Sequence, residues 1–344
     1  MSRFGRNQIG ATSLEVDALG FGCASLGNLY HAVSDMEATE ILSTAWANNF
    51  RHFDTAPHYG QGLSERRVGD ALRAPDRRDY VLSTKVGRLL RPAGYAAERH
   101  CFISPMPFDI DYDYSYDGII RSFEDSLQRL GLDRIDILYM HDIGAMTHGD
   151  DNARLFPIAM DGGYRAMDEL RQNGQVRAIG LGVNEYEVCE QAMEYGDWDC
   201  FLLAGRYTLL EQEALDTFLP KCAERDCSVI IGGAYNSGIL ATGVLGKGPQ
   251  YYNYTEAPDA IVDRVAQIEA VCDEFGIPLP AAALQFPLAH RAVASVIPGI
   301  GNARRIEQTL ELFSTHIPDE FWTTIKNRGL IRQDAPTPLN RNVE

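Results

Sequence analysis

Short apolar runs recur along the chain and alternate with amphipathic stretches. The runs are ALGFGCASLG, RHFDTA, YVLSTKVG, RIDILYMHD, VRAIGLGVN, CFLLAGRYTLL, CSVIIGGAY and ASVIPGI. Each has the length of a buried strand. Between them lie SDMEATEILSTAWANN, LSERRVGDALR, SYDGIIRSFEDSLQRLGL, MDGGYRAMDELRQNG, EVCEQAMEYG, EALDTFLPKCAERD, DAIVDRVAQIEAVCDEFG and ARRIEQTLELF, which read as helices. In IIRSFEDSLQRL, Ile120, Phe123, Leu127 and Leu130 lie three or four apart, the spacing of a helix face packed on a sheet.

Eight strands alternating with eight helices, without a composition break or linker, predict an α/β fold: a (β/α)8 TIM barrel forming one domain over residues 1–344. A doubly wound sheet would carry G-x-G-x-x-G after its first strand, and GFGCAS lacks the third glycine. Three segments stand outside the alternation. RFGRNQIGATSLEV reads as an N-terminal β-hairpin closing the barrel floor. Residues 88–115 and ATGVLGKGPQYYNYTEAP read as long βα loops at the C-terminal mouth, where substrates bind in such barrels.

The formal charge of −17 argues against nucleic acid or anionic membranes as partners, since those demand basic patches. No apolar run reaches membrane-spanning length, and MSRFGRNQIGATSL lacks the apolar core of a signal peptide. The seven cysteines form no C-x-x-C pair, which suits reduced thiols in a cytoplasmic protein. The scattered histidines make no metal motif, so no metal is expected. Oligomeric state is not legible.

Polar residues at the carboxyl ends of barrel strands converge on one opening. Strand two ends in Asp54, with Tyr59 just beyond it; strand three carries Lys85 and strand four His141. Taken singly, each has an ordinary structural explanation. All four interrupt apolar runs on three consecutive strands, and that changes the reading. A buried lysine needs a counter-charge, and Asp54 supplies one. A tyrosine beside that ammonium has its ionised form stabilised, so its pKa falls towards working pH. A neutral imidazole then orients the same substrate oxygen. The set is a proton-transfer device with a phenol as acid or base, and its redox partner must be a cofactor.

FDTAPHYG, STKVG and LYMHD resemble the aldo-keto reductase family over nearly the whole chain. The resemblance implies a nicotinamide cofactor and a catalytic tetrad: Tyr59 as general acid/base, Lys85 tuning it, Asp54 holding Lys85 and His141 orienting the substrate oxygen. In GLGVNEYE, Asn184 takes the place of a carboxamide ligand, while Val183 stands where serine is usual. In AGRYTLL, Tyr207 is the implied nicotinamide stacker, and Ala204 replaces the usual glutamine. AYNSGIL implies a pyrophosphate cover at Ser237, Gly238 and Leu240. IPGIGNARRIEQTL resembles the adenosine-phosphate segment, with Gly299 and Ile300 where NADP-preferring relatives place Lys and Ser. Arg305 and Arg304 remain as the cationic partners. Of NAD and NADP, this favours NAD, because the second phosphate loses a charge-assisted contact.

Within the family, GFGCASLGNLY, HFDTAPHYGQGLSERRVG and LLAGRYTLLEQ are most similar to a bacterial branch of sugar 1-dehydrogenases (L-fucose, D-threo-aldose) and pyridoxal 4-dehydrogenases. That implies a small sugar or aldehyde substrate, with an aldose such as L-fucose or L-galactose oxidised at C1 to the lactone. Pyridoxal oxidation and general aldehyde reduction are the alternatives. Tyr30, Leu29, His58, Tyr251 and Tyr252 are candidate pocket residues, His58 either bonding a sugar hydroxyl or capping a turn. A barrel glycosidase using Asp54 and Asp142 is a second enzyme class, disfavoured because Asp54 suits a lysine ion pair. A nicotinamide-binding redox-sensing subunit is the non-enzymatic reading.

Overall fold

The computed structural model describes residues 4–246, 250–253 and 255–338. Lys247 to Pro249 and Tyr254 of the late loop, Arg3 of the N-terminal segment and the two chain ends of the 1–344 domain reading lie outside the described residues.

All eight apolar runs are strands of one sheet: β1 (Phe21–Gly22), β2 (His52–Asp54), β3 (Val81–Val86), β4 (Ile137–His141), β5 (Ala178–Val183), β6 (Cys200–Ala204), β7 (Ser228–Gly232) and β8 (Val293–Ile297). Every neighbouring pair is parallel and follows chain order. Parallel bridges from Leu19 to Val296 and from Gly22 to Gly299 join β1 to β8 and close the barrel. The strands are buried on both faces because one face lines the barrel and the other packs on helices. The consequence for function is directional: all eight carboxyl ends open at the same mouth.

The floor is plugged by the N-terminal hairpin, Arg6–Gln8 antiparallel to Glu15–Asp17. Ile9, Leu14 and Val16 enter the barrel and join Val81, Ile137, Tyr139, Leu202 and Ile230 in an interior core. Full burial of side chains this size contributes about 2 kcal/mol each. The hairpin sits this close because residue 10 is glycine. Its φ is 53°, its N–H donates to Ser228 Oγ at 2.9 Å, and a Cβ there would stand 2.6 Å from the Asp199 carbonyl.

Most outer helices start and stop where the sequence marks them. Asp35–Ala47 begins at a capping box between Ser34 and Glu37. Tyr116–Leu130 begins at Ser115, whose Oγ accepts from Gly118 N, and ends at Gly131 with φ 62°. Its buried stripe runs Ile119, Ser122, Phe123, Ser126 and Leu130. The expected Ile120 and Leu127 flank that stripe, half-buried, because small serines let the helix roll closer to the barrel. Helical structure between β4 and β5 begins with the short helix Ala145–His148 and continues from Asn152, well ahead of MDGGY, which itself forms part of a π-helical turn (Ala159–Tyr164). Its Gly163 lets the turn press on the Tyr114 carbonyl, where a Cβ would lie at 2.6 Å.

Residues 88–115 are more ordered than a loop. Arg88–Pro92 pairs antiparallel with Phe108–Tyr112, and Glu98–Arg99 with Phe102–Ile103 inside that excursion. This arm reaches across the mouth and bonds the loop after β1: Leu29 bridges Phe102, and Tyr30 N–H donates to the Cys101 carbonyl at 3.0 Å.

Candidate active site

The turn after β2 brings Asp54 and Tyr59 to one side. Pro57 ends the extended run, and Tyr59 N–H closes on the Ala56 carbonyl at 3.1 Å. Gly60 (φ 64°) lies against Gly27, where a Cβ on Gly60 would stand 2.4 Å from the Gly27 carbonyl oxygen. Two glycines thus allow the loops after β1 and β2 to touch, which seats the Tyr59 ring over the opening.

Lys85 comes from β3 and is buried to 1% exposure. Its ammonium donates to Asp54 Oδ2 at 2.7 Å, to the Thr55 carbonyl at 2.9 Å and to the Tyr59 hydroxyl at 3.1 Å. Three acceptors use all three of its protons. Burial opposes the charge, but Asp54 and Tyr59 outweigh it and hold the Lys85 pKa above its ordinary value. Burial pushes Asp54 up, while Lys85 and the Ser83 hydroxyl, donating to Oδ1 at 2.8 Å, pull it back. The pair is therefore ionised, with its positive end against a phenolic oxygen.

His141 ends β4. Its ring stands edge-on to Tyr59 at 6.2 Å between centroids, and its carbonyl accepts from the Tyr114 hydroxyl at 2.7 Å. Burial first, then Arg88, Lys85 and His58, hold its pKa well below the ordinary value, so the imidazole is neutral. All four residues anticipated from the sequence therefore meet at one opening.

His58 is a wall of that opening rather than a turn cap. Its ring lies 5.2 Å from Phe102, 5.7 Å from His100 and 5.9 Å from His141. Burial and the Arg88 charge hold it neutral as well. Tyr30 stands at the rim, 42% exposed, with φ 61°. Tyr251 is exposed in the late loop and Tyr252 is half-buried.

Two residues of the mouth carry a role the sequence did not assign. Arg88 and Asp142 form a buried ion pair. Asp142 Oδ2 is 3.4 Å from His141 Nε2, and its Oδ1 accepts from Asn184 Nδ2 at 3.3 Å. Arg88 could have been flagged, since it interrupts the apolar VGRLL as Lys85 interrupts its own strand. The pair also disposes of the glycosidase reading: Asp54 is held by Lys85 and Asp142 by Arg88, leaving neither carboxylate for a water or an anomeric carbon.

Around the rest of the mouth, Asn184 follows β5 beside Asp142, Ser237 and Gly238 follow β7, and Gly299 and Arg305 follow β8. Gly238 has φ 104° and Gly299 is exposed with only Ser25 Oγ within 4 Å of a built Cβ, so both leave open space for a ligand. Arg304 and Arg305 are exposed at the start of the helix Arg304–Ser314. An amide, a glycine-lined gap and two cations in this order fit an elongated dinucleotide with a carboxamide at one end and phosphates at the other.

Two expectations need correction. Tyr207 is fully buried, packed on Phe286 at 5.4 Å and His290 at 6.0 Å, so it offers no ring face to the mouth. The half-buried Tyr235, at the end of β7 and near Arg305, is the aromatic placed there. The Leu240 side chain is also buried, and its N–H is bonded to the Tyr235 carbonyl at 3.1 Å. Leu240 holds the loop in shape and presents nothing to a ligand.

Among the described residues there is no cluster of metal-ligating side chains, and no helix is long and apolar enough to cross a membrane. Comparison with known proteins places this geometry in context. The model of the Aldo/keto reductase family matches residues 18–328. A pyridoxal 4-dehydrogenase from Microbacterium luteolum is 44% identical over 339 residues, spanning 95% of this chain and 98% of its own. A D-threo-aldose 1-dehydrogenase from a Pseudomonas species is 40% identical over 334 residues, spanning 95% and 97%. Among solved structures, an aldo-keto reductase from Bacillus halodurans in its holo form superposes with a TM-score of 0.73 at 25% identity, covering 98% of this chain and 99% of that one.

Proposed function

This chain belongs to the aldo/keto reductase family, an NAD(P)-dependent oxidoreductase on a (β/α)8 barrel, and we propose that it oxidises a cyclic hemiacetal to a lactone. The observation that carries this reading is the Lys85 ammonium 3.1 Å from the Tyr59 oxygen, with a neutral His141 edge-on to the same ring. A hydrogen bond from a cation to the phenolic oxygen favours phenolate over phenol, which makes Tyr59 a base in the oxidative direction.

In that direction Tyr59 takes the proton of the anomeric hydroxyl, and His141 donates to the oxygen left behind. Lys85 stabilises the phenolate before proton transfer, and Asp54 keeps Lys85 charged. A bound nicotinamide supplies the hydride acceptor for the anomeric carbon. Asn184, Ser237 and Gly238 would hold the dinucleotide, with Arg305 facing the adenosine 2′ position, and NAD is the form used, because Gly299 offers no side chain to a 2′-phosphate. His58 and Tyr30 contact the substrate ring.

The substrate is an aldose oxidised at C1, which matches the D-threo-aldose relative. Pyridoxal is the second reading, supported by the more similar pyridoxal 4-dehydrogenase and by the Phe102 ring beside Tyr59 at 6.2 Å. Both compounds close to cyclic hemiacetals and share one chemistry. All seven cysteines are free thiols, in keeping with a cytoplasmic enzyme. The test is reduced-nicotinamide formation from L-fucose, L-galactose, D-arabinose and pyridoxal with NAD or NADP. Turnover that Tyr59→Phe abolishes supports the reading; tight nucleotide binding without turnover of any hemiacetal supports a redox-sensing subunit instead.

A further inference from the structure

Residue 142 is where strand geometry breaks. Along an extended strand, consecutive side chains point to opposite faces, so the residue after His141 should leave the opening. Asp142 has φ 48°, a left-handed conformation that aspartate adopts at some cost. That reversal carries its carboxylate back beside His141. The turn is fixed on both sides: Asp142 N–H donates to the Gly182 carbonyl at 2.9 Å, and Tyr114 holds the His141 carbonyl at 2.7 Å.

The carboxylate so placed has three neighbours. Arg88, itself only 5% exposed and with Tyr112 5.3 Å from its guanidinium, pairs with Oδ2. His141 Nε2 lies 3.4 Å from the same oxygen, and Asn184 Nδ2 donates to Oδ1 at 3.3 Å. One buried carboxylate therefore touches the residue assigned to the substrate oxygen and the residue assigned to the carboxamide.

A neutral imidazole has a single N–H, and the hydrogen bond made by one nitrogen decides where it sits. An ionised carboxylate only accepts, so at 3.4 Å, a contact that is not a formed hydrogen bond, its charge favours the N–H on the Nε2 that faces it. The other nitrogen, Nδ1, is buried without a hydrogen-bond partner. A bare lone pair there is consistent with the proton residing on Nε2.

We propose that the Arg88–Asp142 pair is a positioning device for both partners of hydride transfer. Asp142 keeps the His141 proton on Nε2, from where it is shared with the substrate oxygen, and it sets the Asn184 amide for the nicotinamide carboxamide. Arg88 keeps Asp142 ionised and in place. The proposal rests on the dehydrogenase reading for its catalytic consequence, but the tautomer is a property of the protein alone.

The test is nitrogen NMR of the full chain carrying labelled histidine, with His141 assigned by comparison with His141→Gln. In the unsubstituted protein the proton is expected on Nε2, with and without NAD. In Asp142→Asn the side-chain amide offers donors as well as an acceptor, and the Nε2–H preference is expected to be lost. The kcat falls on the order of 10²-fold, and NAD affinity falls about tenfold through Asn184. That single change leaves Arg88 buried without a partner, which threatens folding. Arg88→Gln with Asp142→Asn removes the charge as well and must give the same loss of tautomer preference. Persistence of the Nε2 proton in both variants, or a kcat within twofold of the unsubstituted enzyme, overturns the proposal. Tyr59→Phe, inactive on the dehydrogenase reading, must keep the original tautomer. If no hemiacetal is turned over at all, the functional reading fails while the tautomer measurement still decides the positioning role.

Discussion

Replacing Asp54 by asparagine removes the carboxylate that Lys85 and the Ser83 hydroxyl share. The ammonium loses its 2.7 Å ionic partner and keeps two neutral acceptors, the Thr55 carbonyl at 2.9 Å and the Tyr59 hydroxyl at 3.1 Å. Removing one member of a buried ion pair costs about 3–5 kcal/mol. An independent ceiling comes from deprotonation. With an unfolded-state pKa near 10.4, neutral lysine at pH 7 costs roughly 3.4 units at 1.36 kcal/mol each, or about 4.6 kcal/mol. The two figures agree, so a destabilisation of about 4 kcal/mol at pH 7 is expected.

The pH dependence is diagnostic of that origin. The unsubstituted Lys85 has a raised folded pKa, so its stabilisation is present below the unfolded value and fades as pH rises through the folded one. In Asp54→Asn the folded state holds a neutral lysine and the unfolded chain still binds a proton. The variant therefore gains about 1.4 kcal/mol per pH unit relative to the unsubstituted protein between pH 7 and 10. Asp54→Leu with Lys85→Met, which removes both charges, should lie within about 2 kcal/mol of the starting stability. Urea unfolding followed by tryptophan fluorescence at pH 7, 8 and 9 measures all three. A deficit that does not shrink with pH, or a double variant as unstable as the single, would refute the reasoning.

Other substitutions probe separate parts of the molecule. His52 is fully buried and desolvation lowers its pKa to about 4. Its contribution is complete above the unfolded value of about 6.5 and is lost as pH falls towards 4, on the order of 3 kcal/mol. His58 and His141 act in the same direction, so His52→Gln should flatten the acid side of the stability profile without abolishing the loss; an unchanged profile contradicts the assignment. Arg305→Ala should weaken NADP by about tenfold in a fluorescence titration while leaving NAD within about twofold. Equal losses for both nucleotides would mean that Arg305 does not face the 2′ position.

Much of the molecule was legible because its signals are local. The eight strands show as short apolar runs, and Asp54, Lys85 and His141 stand out as polar residues inside them. A parallel barrel then does the rest, because strands of one direction deliver their ends to one mouth. Tyr59 needed only a Pro57 turn within five residues of Asp54. Arrangements that depend on the sign of a backbone angle or on distant partners were not legible. Tyr207 sits on the buried side because the path after Gly205 (φ 67°) turns its ring towards Phe286, seventy-nine residues later in the chain. The stripe of Tyr116–Leu130 shifted because Ser122 and Ser126 are small enough to pack closely, a matter of contact rather than hydrophobicity.

Local pattern thus determined the barrel, its polarity and the residue types at its mouth, since strand length and burial are written in single-residue chemistry. Tertiary structure alone decided which charge each buried group would meet. Asp142 faces Arg88 and His141 only because one residue adopts φ 48° and because the arm after β3 brings a cation to it. A carboxylate's meaning depends on the neighbour within 4 Å, and that neighbour is chosen by the fold.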